Sequence, residues 1–144
     1  MNHTPNKPFY EKHLPDATIN ESIKKEVQQR AKNKQLSCAL AFTIGHHLNV
    51  SLKDVGITLD LLNYKLTKCQ LGLFGYPPNK KRVKPLSTVH ADLRNAIDAS
   101  LIDNRLPCET AWQIALSCHV SKMTVSNSCE TLGVKIKPCQ LGAF

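Results

Sequence analysis

Four cysteines recur at a fixed offset of 70 residues, and these paired thiols are the first candidates for chemistry in this chain. Cys38 is matched by Cys108, and Cys69 is matched by Cys139. A thiol at the start of a helix has a lowered pKa, and four thiols form a donor set for zinc or an iron-sulfur cluster. No Cys-x-x-Cys pair is present. We therefore interpret these four cysteines as small apolar residues at helix–strand junctions. A thiol-based metal or redox sensor is the alternative.

The other polar residues form no recognisable catalytic pattern. His46 and His47 are adjacent, and neighbours on a helix point about 100° apart, so they are poorly placed to share one ion. The sequence has no Gly-rich phosphate loop, no His-Glu-x-x-His pattern and no paired carboxylates. We expect neither enzymatic activity nor a bound cofactor.

The cysteines belong to a larger internal repeat. Residues 36–74 and 106–144 align without a gap and share fourteen identities in 39 positions. Such self-similarity indicates one duplicated structural unit. Both copies end in the same motif, Cys-Gln-Leu-Gly-x-Phe, whose glycine we expect to occupy a turn with positive φ. We also expect this motif to close the module to which it belongs.

Each copy is predicted to contain three helices, which makes the fold class mainly all-α. In the first copy, Thr18 and Glu21 have capping-box spacing. Apolar residues then follow at four-residue steps, namely Ile23, Val27 and Ala31. In the second copy the corresponding residues are Ser87 or Thr88 as the cap and Leu93, Ile97 and Leu101 as the apolar stripe.

The later elements of each copy are predicted in the same way. A second helix runs from Cys38 to His47 or from Cys108 to Cys118, and a third ends near Asn63 or Gly133. Residues 64–67 and 134–137 alternate apolar and polar side chains, which predicts short strands that pair with each other across a pseudo-twofold axis. The predicted organisation is a flexible arm (1–17), a module (18–74), a basic linker (75–86) and a second module (87–144).

The turn between the second and third helices resembles a known DNA-binding motif. Residues 115–127 of the second copy read Ala-Leu-Ser-Cys-His-Val-Ser-Lys-Met-Thr-Val-Ser-Asn. This pattern resembles the helix-turn-helix of bacterial repressors of the lactose-repressor class. The first copy carries Gly45, Val50, Ser51 and Val55 at the matching positions. The resemblance implies that the start of the third helix faces the major groove, through Ser121, Lys122, Met123, Ser126 and Asn127, with Lys53 as a weaker counterpart.

The positive charge of the chain points to the same partner. The formal net charge is +8, and the linker carries four cations in five residues, Lys80, Lys81, Arg82 and Lys84. Such a cluster attracts phosphates by displacing counterions. We therefore predict a transcriptional regulator whose tandem helix-turn-helix modules bind a two-part site on double-stranded DNA. A protein–protein interaction module is the main alternative, and a homodimer or a partner protein is left open.

The amino-terminal residues and the overall hydropathy bear on localisation. Residues 1–20 are polar and contain three prolines, and no apolar run approaches the roughly 18 residues that a membrane span needs. We expect a cytoplasmic protein that does not enter the membrane.

Overall fold

The computed structural model describes residues 18–77 and 81–144 and divides the chain into two units, Met1–Thr67 and Lys68–Phe144. The predicted arm over residues 1–17 lies outside the described residues. The boundary falls after Thr67, seven residues before the predicted end of the first module. The first Cys-Gln-Leu-Gly-x-Phe motif therefore belongs to the second unit.

Three helices form most of the first unit: α1 (Glu21–Arg30), α2 (Cys38–Leu48) and α3 (Leu52–Leu61). The cap of α1 is Asn20 rather than Thr18, because the Asn20 side chain accepts a hydrogen bond from the Ile23 amide at 3.0 Å. In the helix that begins after Asn20, Ile23 and Val27 are both fully buried. The apolar stripe predicted for α1 is confirmed at these two residues, and Ala31 forms the C-cap instead.

The second unit repeats the pattern with α4 (Ala91–Ala99), α5 (Cys108–Ser117) and α6 (Lys122–Leu132). His90 caps α4 in place of the predicted Ser87 or Thr88, and its Nδ1 accepts from the Asp92 amide at 3.3 Å. Leu93 and Ile97 turn inward into the core. The prediction of a mainly α-helical fold is confirmed. Within the described ranges, no helix is long and apolar enough to cross a bilayer.

A tight turn joins the second and third helices of each unit. Asn49 and His119 occupy the left-handed region, with φ values of 53° and 56°. Ser51 and Ser121 then cap the third helices, each accepting a backbone amide hydrogen bond at 3.0 Å. Left-handed backbone suits asparagine better than most residues, so Asn49 replaces glycine at modest cost.

Each unit also contains one pair of short parallel strands. In the first unit β1 (Gln35–Ser37) pairs with β2 (Lys65–Thr67), and in the second β3 (Arg105–Leu106) pairs with β4 (Lys135–Ile136). The prediction that the two tail strands pair with each other is therefore wrong. The second and third helices of each copy pack against each other. The end of the third helix therefore lies near the start of the second helix, and the tail strand pairs with the residues that precede the second helix of its own copy.

Candidate nucleic-acid interface

The residues predicted to read bases lie on a face of α6 that the chain itself covers. Ser126 is 1% exposed, and its Oγ donates a hydrogen bond to the carbonyl oxygen of Leu71 at 2.7 Å. Leu71 is fully buried and lies in the core cluster of the second unit. It belongs to residues 69–74, the first Cys-Gln-Leu-Gly-x-Phe motif, which we call the first CQLG loop. A helix face that buries this loop does not stand open to a DNA groove.

Two further predicted readers contact the same loop. The Nζ atom of Lys122 lies 4.1 Å from the ring centroid of Trp112 and 3.4 Å from Oε1 of Gln70. The Met123 side chain packs onto Gly72, where a Cβ atom would come within 2.6 Å of the methionine sulfur. Gly72 has a φ of +73°, so the predicted glycine turn is confirmed and lies directly beneath α6.

Residues 81–86, which we call the strap, cover the next turns of α6. The Lys84 amide donates to Oδ1 of Asn127 at 2.9 Å, and the Leu86 amide donates to Oγ1 of Thr131 at 2.6 Å. Val83, which precedes Lys84, is only 7% exposed. The Asn127 carboxamide oxygen is thus engaged by backbone instead of being available to an adenine edge.

The expectation of an exposed recognition surface on α6 is therefore wrong for Ser126, whereas Lys122, Met123 and Asn127 are half-buried and contact the first CQLG loop or the strap. Ser121 is exposed, but its hydroxyl caps the helix. The physical reason is that α6 is buried on more than one side. Val125 and Cys129 face the helical core, whereas Ser126 and the methionine face the first CQLG loop.

The linker cations are partly committed to the second unit. Lys80 lies outside the described residues. Nζ of Lys81 lies 3.9 Å from a carboxylate oxygen of Glu130, and the Arg82 guanidinium lies 4.3 Å from the ring centroid of Tyr76. All three of Lys81, Arg82 and Lys84 are exposed, so their charge is still accessible. From residue 81 onward the predicted linker is a bound strap and not a free tether.

Lys53, the predicted counterpart in the first unit, lies exposed in the first turn of α3. The exposed carboxylate of Asp54 follows it directly. The neighbouring negative charge offsets much of the attraction that Lys53 alone would exert on a phosphate. The structure places no second predicted site residue beside Lys53 in this unit.

The cysteines are buried or half-buried and form no metal centre among the described residues. Cys38 lies in the first unit, whereas Cys69, Cys108 and Cys139 lie in the second. Burial raises the pKa of the Cys69 and Cys108 thiols above the usual value. The alternative in which a helix start lowers the pKa of Cys108 is therefore wrong, because desolvation outweighs the effect of the helix end.

The structure reveals a different cluster of cations on the strand pair of the second unit. Arg105 and Lys135 are Cα partners across the parallel strands and are both exposed, and Lys137 follows on the same side as Lys135. The alternate residues, Leu106 and Ile136, are buried. Like charges on paired strands repel each other, and none of these three cations forms an ion pair with any described residue. We call Arg105, Lys135 and Lys137 the second cationic face.

The strand pair of the first unit carries a related cluster. Lys65 in β2 is exposed, and its amide donates to the carbonyl oxygen of Lys34 at 2.9 Å. Lys34 and the nearby Lys32 are also exposed and lack an ion pair within the described part of the chain. We call Lys32, Lys34 and Lys65 the first cationic face.

Sequence reasoning did not find these faces because their cations are far apart along the chain. Arg105 and Lys135 are separated by 30 residues, and only the parallel register makes them neighbours. The one available signal was that Lys65 and Lys135 are identical in the repeat.

No known protein family, curated protein or solved structure matches this chain.

Proposed function

We propose that the chain binds double-stranded DNA through phosphate contacts from its two cationic faces. The single observation that carries the proposal is the exposed cluster of Arg105, Lys135 and Lys137, which has no ion-pair partner in the described part of the chain and has a counterpart in the first unit. Hydrogen bonds between the strands hold these cations close together despite their mutual repulsion. A line of phosphates supplies the compensating negative charge.

The arrangement of the helices supports DNA as the polyanion. Each unit has three helices, and a four-residue or shorter turn joins the second and third, as the helix-turn-helix resemblance implies. The net charge of +8 favours association with nucleic acid. These features are those of a DNA-binding regulator, the role that we propose for this protein.

The mode of contact differs from the one that the resemblance implies. Side chains that could read base edges on α6 are occupied by the first CQLG loop and the strap. Phosphate contacts position a protein on DNA without reading its sequence. We therefore propose binding that depends little on base sequence, with α6 packed inside its unit and not placed in a DNA groove.

Duplex DNA fits these surfaces better than a single strand does. Proteins that bind single strands combine positive charge with exposed aromatic rings on which bases stack. Over residues 18–77 and 81–144 no phenylalanine, tyrosine or tryptophan side chain is exposed. The two cationic faces therefore offer charge without a stacking platform.

The test is a fluorescence-anisotropy titration of the reduced full chain with labelled DNA over a series of salt concentrations. Two duplexes of unrelated sequence and one single strand of equal length serve as ligands. We expect similar affinity for both duplexes and weaker binding of the single strand. If all six cations of the two faces contact phosphates, the slope of log K against log salt approaches about −5. No binding to duplex DNA at low salt would refute the proposal.

A second candidate function is supported by the contact between α6 and the first CQLG loop. A helix that holds a loop of backbone through a buried hydrogen bond from a side-chain hydroxyl has the chemistry of a peptide-binding surface. Under this alternative the chain is a protein–protein interaction module. Its affinity for a partner would then be nearly insensitive to salt, in contrast to DNA binding.

A further inference from the structure

A pair of thiols in the second unit is held close together by hydrogen bonds on both sides of one of them. The Cys108 amide donates to the carbonyl oxygen of Pro138 at 3.0 Å. The Sγ atom of Cys108 accepts from Nε2 of Gln140 at 3.4 Å. Because Cys108 is hydrogen-bonded to the residues immediately before and after Cys139, Cys139 lies beside Cys108.

The two thiols differ in how accessible they are. Cys108 is 6% exposed at the start of α5, whereas Cys139 is half-buried at the start of residues 139–144, the second CQLG loop. The Leu141 amide donates a hydrogen bond to Sγ of Cys139 at 3.4 Å. Cys139 is therefore the thiol that an oxidant from solution reaches first.

Cys69 is the third thiol in this neighbourhood. The ring centroids of Phe74 and Phe144, the last residues of the two CQLG loops, lie 5.8 Å apart. The Cys139 sulfur interacts electrostatically with both Cys69 and Cys108, raising the pKa of each, although burial has the larger effect on both pKa values. Only Cys108 has hydrogen bonds that flank Cys139, which singles it out as the partner.

We propose that Cys139 and Cys108 form a reversible disulfide when the protein meets hydrogen peroxide, making the second CQLG loop a redox-sensitive element. This inference is independent of DNA binding. The disulfide would link the second CQLG loop covalently to the start of α5. Cys139 lies two residues after Lys137 of the second cationic face.

The reaction balances in two steps. The Cys139 thiolate attacks one peroxide oxygen, so that an S–O bond forms, the O–O bond breaks and hydroxide leaves to become water on protonation. Cys139 is thereby oxidised to a sulfenic acid and peroxide is reduced. The Cys108 sulfur then attacks the Cys139 sulfur, the S–S bond forms, and the S–O bond breaks. The departing hydroxide takes up the proton that Cys108 loses and leaves as a second water.

Peptide mapping of the full chain tests the pairing. Reduced protein is treated with hydrogen peroxide, free thiols are blocked with N-ethylmaleimide, and tryptic fragments are analysed by mass spectrometry without reduction. We expect fragment 106–122 linked to fragment 136–144, and loss of this species on adding a thiol reductant. Because fragment 106–122 also contains Cys118, a second digestion with chymotrypsin after Trp112 separates Cys118 from Cys108.

A matched variant checks the same assignment. Cys118→Ser removes the other thiol of the fragment, at the far end of α5, and should leave the linked species unchanged. The proposal is overturned if fragment 136–144 is linked only to fragment 69–80, which would identify Cys69 as the partner. It is equally overturned if Cys139 is recovered as an unlinked thiol or as a higher oxide after peroxide treatment.

Discussion

Neutralising the second cationic face should weaken the salt dependence of DNA binding. The double variant Lys135→Gln and Lys137→Gln removes two exposed cations that form no ion pair with any described residue. Each lost phosphate contact lowers the steepness of log K against log salt by about 0.9, so the double variant should lose about 1.8. The ratio of wild-type to variant affinity should then change about tenfold between about 50 and about 200 mM salt.

A control of equal charge separates a local contact from a general electrostatic effect. Lys25 on α1 and Arg94 on α4 are exposed and lie outside both cationic faces. The double variant Lys25→Gln and Arg94→Gln therefore carries the same net charge as the test variant. We expect it to retain the wild-type salt slope.

Anisotropy titrations of all three proteins on one duplex provide the comparison, with thermal unfolding as a check that the variants fold. The side chains concerned are exposed, so we expect unfolding temperatures close to that of the wild type. If both double variants lose the same amount of slope, net charge alone governs binding. The cationic face would then not be the contact surface.

Three further predictions concern the covered face of α6 and the buried thiols. Asn127→Ala should leave DNA affinity unchanged but lower the free energy of unfolding by about 1 kcal/mol, because the Lys84 amide loses its acceptor; equilibrium denaturation measures this loss. Gly72→Ala should lower the free energy of unfolding by up to about 1 kcal/mol more than Gly142→Ala does in the same assay. Both glycines have positive φ, but only at Gly72 would the added Cβ atom meet Met123. Burial raises the pKa of Cys129 from 9.0 to about 11, so this thiol ionises at lower pH in the unfolded chain than in the folded one. The free energy of unfolding should therefore fall as pH rises from about 9 to about 11. In the Cys129→Ala variant it should fall less steeply.

The helices could be predicted from sequence because their stability follows local periodicity. Leu93 and Ile97 recur at four-residue spacing and are both buried, as the pattern indicated. The caps were misassigned because several capping side chains precede each first helix. Thr18 and Asn20 are both good caps, and only the packing of Ile23 against the rest of the unit decides between them.

The tail strands β2 and β4 lie where the alternation in residues 64–67 and 134–137 predicted strands, but their partner strands and the covering of α6 could not be predicted because both depend on tertiary contacts. A strand of two residues, such as Arg105–Leu106, is too short to show alternation. The helix-turn-helix resemblance implied that Ser126 is exposed at the start of the third helix. Its hydroxyl is instead satisfied internally by the carbonyl oxygen of Leu71, 55 residues away along the chain.

The covering of α6 has a consequence for how DNA affinity must be distributed. A recognition helix concentrates specificity in a few side chains, each worth about 1 to 3 kcal/mol against a wrong base. Because the first CQLG loop and the strap cover that face, the DNA affinity that we propose would have to come from many weak phosphate contacts. Such contacts add through counterion release, so each cationic face should contribute about half of the total salt slope. Under the proposed function, the duplication would serve affinity, because a second copy would double the number of phosphates neutralised without any change to the internal packing of either unit.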